Sequence, residues 1–340
     1  MIKSCLGLDV GSYQLKIAEI VKQGRNRYRI NALIKYSLPE GIEDPEHLSG
    51  SLRKILNRAG IKTQRVVLGL NTPQMTIKQI TMPRMQKKEL DQAIMLDLVE
   101  ILKLPNHNDA ADIYYSYDVI NAGSELSILV VGCPKAVLDP YIIMMKGAGL
   151  VPCVIDVSAF NLSHAVNQGR GLRTCYVDFG HSQTVIYVET HGVYTLYRIL
   201  PIGGIHLDEA IAQALAVDVA EAHKLKCQLT LEEILQKGSG SKTLLRTVFQ
   251  QYIGGLYQTF NYLRSVSRAA HIDDVLDQVV ICGGIAHLPG FDALLKQELD
   301  IDVWRLNPLE GYELADGLQG MPDYGVFANA IGLAMRGLND

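Results

Sequence analysis

Two short stretches carry residue types whose spacing could do chemistry. In Cys5 to Lys16, CLGLDVGSYQLK, Asp9 ends an apolar run, Gly11 follows at a tight turn, Ser12, Tyr13 and Gln14 offer donors, and Lys16 supplies a point charge. A carboxylate inside an apolar strand is costly unless a cation offsets it. A bound metal ion is a natural one, and a lysine beside a glycine turn suits a phosphate. Cys175 to Glu189, CYVDFGHSQTVIYVE, repeats the layout with Asp178, Gly180 and Gln183. The two D-x-G-x-x-Q turns lie 169 positions apart (178 minus 9), half the length of this 340-residue chain. Alone, such a segment is usually just an ordinary hairpin turn. The matched pair reads as a duplicated strand-turn-strand unit, two related lobes presenting carboxylates to one cleft.

Further glycines follow the second turn. Gly203-Gly204 precedes a helix starting near His206, which is either an anion-binding helix start or a plain loop. Gln278 to Leu295 is a buried strand that breaks into Gly283-Gly284, where bare backbone would let a flat ring pack. Its strand and glycine echo RVVLGL at Arg65 to Leu70, so the duplication extends past the acid turns. Glu221 and Lys224, three apart in AEAHKLK, share a helix face, the ordinary pattern of a solvent-exposed salt bridge. Gly238 to Thr243, GSGSKT, is not a phosphate loop, because Ser241 rather than glycine precedes Lys242 and a helix leads in. It reads as a linker.

Around these stretches the elements fall into blocks. The opening runs β-β-β-α-β, with strands around Asp9, at Leu15 to Val21 and Tyr28 to Tyr36, a helix at Ser49 to Arg58, and a strand at Arg65 to Leu70. From Gln74 a β-α-β-β-α-β block ends with the strand Val151 to Val157 and looks inserted. A helix is expected over Asp156 to Val166. A second three-strand meander begins at Arg173, helical segments follow, and the weakly charged helix Val326 to Leu338 should pack between the lobes. The fold class is α/β: a bilobal, duplicated fold with one insertion. The expected boundaries are 1–73 and 154–172 with 324–340 for the first lobe, 74–153 for the insert, 173–206 and 277–323 for the second lobe, and 207–276 for a small helical subdomain.

A net charge of −4 and pI near 6.1 give no global attraction to nucleic acid or anionic lipid. The six cysteines show no C-x-x-C spacing and read as reduced, structural residues. No apolar run has the length of a membrane span and no signal peptide opens the chain, so a cytoplasmic location is expected.

Taken in order, D-x-G, a second D-x-G, G-G before a helix, A-E-x-x-K and strand-G-G resemble the actin-like ATPase superfamily, whose fold is ribonuclease H-like. Within it the chain resembles the PilM family of type IV pilus assembly, and FtsA next. ITMPRMQKKELDQAIMLDLVEILKLP resembles the start of their inserted subdomain, ICGGIAHLPGFDALL the adenosine motif, and YGVFANAIGLAMRGL the closing helix. The resemblance implies ATP or ADP with Mg²⁺. Gly11, Ser12, Tyr13, Gln14 and Lys16, and Gly180, His181, Ser182, Gln183 and Thr184, would form the phosphate loops. Asp9 and Asp178 would hold the metal through waters; Gly203 and Gly204 would border the phosphates; Glu221 and Lys224 would contact ribose and adenine; Gly283 and Gly284 would line the base. One departure stands out. Where many relatives carry Glu-Pro to orient the attacking water, this chain has Ser158-Ala159, which implies weak or no hydrolysis, with Gln183 left as a possible water-positioning group. The implied role is an adaptor recruited to the inner membrane by the cytoplasmic N-terminal peptide of PilN, with other pilus components and self-association as further partners. An FtsA-like filament, and less so a sugar or acetate kinase, are the alternatives.

Overall fold

The computed structural model describes residues 3–24, 26–38, 45–165, 172–237, 242–320 and 324–339; most of the GSGSKT stretch lies outside them. The described chain forms two compact units: Met1–Gly41 with Ile61–Leu70 and Cys153–Asp340, and Ile42–Gly60 with Asn71–Pro152.

In the larger unit, β1 (Ser4–Val10), β2 (Gln14–Lys22) and β3 (Tyr28–Ser37) form an antiparallel meander. Its helix α1 (Pro45–Arg58) belongs to the other unit, and β4 (Arg65–Leu70) returns to pair parallel with β1. The smaller unit then adds β5 (Thr76–Pro83), α2 (Lys87–Leu102), β6 (Ile113–Ala122), β7 (Glu125–Pro134) and α3 (Lys135–Gly147). Its sheet has the order β5-β7-β6, and Leu90, Ile94, Leu98 and Leu102, spaced four apart along α2, bury against it. Two expectations are corrected here. β8 (Val151–Val157), expected as the fourth strand of the inserted block, instead extends the first sheet beside β4, in the order β3-β2-β1-β4-β8. Residues 42–60, expected in the first lobe, group with the inserted block: α1 packs on α3, with Arg53 donating to the Gly147 carbonyl and the Gly147 backbone set against Ser49. A third correction is local. The helix expected from Asp156 is a 3₁₀ segment, Ser158–His164.

The second meander is β9 (Arg173–Phe179), β10 (Thr184–Thr190) and β11 (Val193–Leu200). It leads into α4 (Gly204–Leu215), α5 (Val219–Gln228), α6 (Leu231–Lys237) and α7 (Lys242–Ser267), then β12 (Gln278–Gly283), α8 (Phe291–Leu299), β13 (Val303–Arg305), β14 (Glu313–Leu314) and α9 (Ala328–Asn339). The sheet order β11-β10-β9-β12-β13 matches β3-β2-β1-β4-β8 strand for strand, including the parallel partner of the central strand. The repeat is also in register. Asp9 faces Lys16 across β1 and β2, and Asp178 faces Val185, 169 positions on in both strands. The second copy therefore has the same carboxylate, with valine where the first has lysine.

α9 packs on β1, β2 and β4 at a distance only glycine permits. A Cβ on Gly7 would lie 1.8 Å from the Ala330 carbonyl oxygen, and one on Gly332 would lie 2.0 Å from that of Asn161.

Candidate functional site: two acid turns closed on each other

The two D-x-G turns are closed by the same bond. Gly11 N donates to Gln14 O at 3.0 Å, and Gly180 N donates to Gln183 O at 3.0 Å. A Cβ at Gly180 would come within 2.8 Å of Gln183 O, so that turn needs glycine, and one at Gly11 would sit tightly against Gln14 O at 3.0 Å. The turns also meet each other. Ser182 Oγ donates to Ser12 Oγ at 2.8 Å, and the Tyr13 ring stacks on His181 with centroids 4.5 Å apart.

Behind them stand the carboxylates. Asp9 is buried; Lys16 Nζ donates to its Oδ2 at 3.2 Å and Ser158 Oγ to its Oδ1 at 2.8 Å. Asn329 Nδ2, in the first turn of α9, donates to Asp178 Oδ2 at 2.8 Å. Burial raises the Asp178 carboxyl above its usual range and the charge of Asp9 adds to this, against the pull of Lys16 and the Asn329 hydrogen bond. Burial also opposes the charge on Lys16, but Asp9 and Asp178 outweigh it and hold its ammonium above the ordinary value. One lysine thus serves two acids.

α4 is seated directly on the second turn. Gly204 N donates to Gly180 O at 2.9 Å and Ile205 N to His181 O at 2.9 Å, while a Cβ on Gly203 would lie 2.5 Å from both Gln183 N and His181 O. Gly283, with φ of +84°, abuts the same turn: its Cβ would meet Phe179 O at 2.4 Å and Asp178 Oδ1 at 2.5 Å. Beside Gly284 there is open space. Thr184 is turned inward, its hydroxyl donating to Ile202 O at 2.7 Å. Glu221 and Lys224 form the exposed i,i+3 pair that their spacing suggests, at 3.2 Å on α5.

Sequence reasoning missed the partners of these groups. Ser158 and Asn329 come from elements about 150 positions from the acids they hold. A third miss is Lys226, almost fully buried, whose Nζ lies 2.7 Å from Asp208 Oδ1 and 3.2 Å from Gly204 O. That pair ties α5 to the start of α4. Asn329 does leave a trace, being a polar residue inside an otherwise apolar helical stretch.

Two in-register meanders, each with an acid turn and a parallel partner strand, define the actin-like bilobal fold. MreB5 of Spiroplasma citri bound to ADP shares it, with a TM-score of 0.55 at 11% identity over 97% of this chain and 94% of that one. The structure of a PilM-PilN type IV pilus biogenesis complex matches with a TM-score of 0.82 at 21% identity, covering 98% of each chain. Cell division protein FtsA of Bacillus subtilis (strain 168) is 21% identical over 346 residues, spanning 89% of this chain and 78% of that protein. The family described as type IV pilus assembly protein PilM matches residues 7–338, and the chain belongs to that family. Among the described residues, no helix is long and apolar enough to cross a membrane.

Proposed function

We propose that the chain binds Mg²⁺-ATP between the two acid turns and, in that state, docks the cytoplasmic N-terminal segment of a PilN-like inner-membrane protein, as a cytoplasmic adaptor of pilus assembly. The observation that carries the nucleotide half is the mismatch of charge: two carboxylates share the one ammonium of Lys16. A divalent cation offsets that excess locally, and the phosphates it carries fall to Lys16 and the turn donors. Each carboxylate already accepts a protein hydrogen bond, so Asp9 and Asp178 would hold the cation through water. Donors of residues 11–14 and 180–183, with Lys16, would face the phosphates, Gly203 and Gly204 would border them, and the open side of Gly284 accommodates a flat base. Glu221 and Lys224 would leave their mutual pair to reach ribose and adenine.

Hydrolysis should be slow. Ser158 donates to Asp9 and supplies no carboxylate to polarise water, so a base contribution of about two to four powers of ten is missing, with Gln183 the remaining water-positioning candidate. Titration calorimetry with Mg²⁺-ATP should give a heat that Asp178→Ala abolishes, while phosphate release stays near background. No heat in the wild type would overturn the nucleotide reading, and rapid release lost in Asp178→Ala would overturn the slow one.

The partner half is supported by family membership and by the complex in which the PilM relative is paired with PilN. A synthetic peptide of the PilN N-terminal segment should bind in a fluorescence titration with Mg²⁺-ATP present. Likeness to FtsA favours a filament as the second reading, which electron microscopy of the purified chain would reveal.

A further inference from the structure

α5 carries a constellation that the nucleotide reading does not use. Asp208 on α4 is 1% exposed, and its two oxygens are divided: Oδ1 faces Lys226 Nζ at 2.7 Å and Oδ2 faces His223 Nδ1 at 3.0 Å. A carboxylate fixed in this way accepts from Nδ1–H, and the neutral tautomer that this selects has its lone pair on Nε2. Nε2 is directed at Cys227 Sγ, 4.0 Å away and one helical turn on. Of the six cysteines, Cys227 alone is exposed.

A nucleophile, a base in reach of it, and a third group that orients the base form the arrangement that activates thiols. We propose that Cys227 is an activated thiol, a site of S-oxidation and of mixed-disulfide formation with small thiols, with His223 as its base and Asp208 as the residue positioning that base. The site's position on the helix sharpens the claim. Cys227 sits in the last turn of α5, where the helix dipole disfavours a thiolate, so activation rests on His223. The other polar groups near the imidazole are Lys226, already committed to Asp208, the His181 imidazole, which interacts with it unfavourably when both are charged, and the Tyr13 ring at 6.0 Å, which also stacks on His181.

In the reaction with a peroxide, His223 takes the thiol proton and the thiolate attacks one peroxide oxygen. The O–O bond breaks, an S–O bond forms, and the departing hydroxide takes up a proton as water, leaving a sulfenic acid. A small thiol then attacks that sulfur, forming an S–S bond and releasing a second water.

The test is limiting iodoacetamide on the full-length protein, with the alkylated peptide identified by mass spectrometry at pH 7 and pH 9.5. Cys227 should be labelled first. His223→Ala should slow its labelling about tenfold at pH 7, and the two rates should converge at pH 9.5, where an ordinary thiol ionises unaided. A purely structural role for His223 predicts no such convergence. His223→Gln, closer in size, serves as the second variant and should reproduce the loss at pH 7. Peroxide followed by glutathione should add one glutathione mass at Cys227. Equal labelling of wild type and both variants at pH 7, or prior labelling of the part-buried Cys153, would overturn the proposal. Neither readout depends on whether nucleotide binds.

Discussion

At Asp178 the structure sets the carboxylate proposed to hold the metal against the stability of the ligand-free protein. Its carboxyl is raised chiefly by burial, so the folded state holds a proton that the unfolded chain has lost once pH exceeds about 3.8. Stability from this group is therefore greatest at low pH and declines as pH rises from the unfolded value through the raised folded one. Asp178→Asn removes that decline and keeps an oxygen that can accept from Asn329. In the absence of ligand the variant should melt higher than wild type at pH 7, by roughly 1–2 °C for each kcal/mol relieved, and the gap should shrink as pH is lowered toward 4. Differential scanning fluorimetry across pH checks this; a variant melting below wild type at pH 7 would show that the charge stabilises the apo fold. Lys16 has the opposite range. Its contribution is complete below its ordinary value near 10.5 and is lost only as pH rises through the higher folded one.

At the scale of elements, glycine decides how closely α9 approaches the first sheet, and α9 carries Asn329 to Asp178. Gly7→Ala would set a methyl 1.8 Å from the Ala330 carbonyl, next to Asn329 in sequence. Overpacking of this kind costs about 1–3 kcal/mol or more, measurable by urea unfolding, and should weaken Mg²⁺-ATP binding by moving Asn329 off the acid. Gly50→Ala makes the contrasting case. In mid-α1 a Cβ meets nothing within 4 Å, so helix propensity should stabilise the protein by about 0.5–1 kcal/mol. These contacts also explain what the sequence made legible. The acids, both turn glycines and Lys16 could be read directly, because strand alternation and a repeated D-x-G-x-x-Q fix their local geometry. Ser158, Asn329 and the Asp208–Lys226 pair could not, because their partners arrive through tertiary packing. The same holds for β8 and α1. An apolar strand and an amphipathic helix announce that a face is buried without naming what buries it, so only the fold assigns β8 to the first sheet and α1 to α3.

At the scale of the whole molecule, nucleotide dependence is a statement about coupling, and coupling is reciprocal. If Mg²⁺-ATP tightens the PilN-like segment by some factor, the segment must tighten Mg²⁺-ATP by the same factor, whatever the path between the sites. The direct turn-to-turn contacts, Ser12 with Ser182 and Tyr13 with His181, give the two lobes of the larger unit a closed arrangement that both ligands could favour. A coupling of about 5–150-fold is the ordinary range for such linkage. Peptide titrations with and without Mg²⁺-ATP, paired with calorimetry of ATP with and without saturating peptide, should return one common factor. In Asp178→Ala, the variant expected to lose the nucleotide, the peptide should bind with the unliganded affinity whether or not ATP is added. A factor of one in both directions would leave two independent binding sites and remove the nucleotide dependence, while unequal factors would mean that a third equilibrium, such as self-association, is being titrated at the same time.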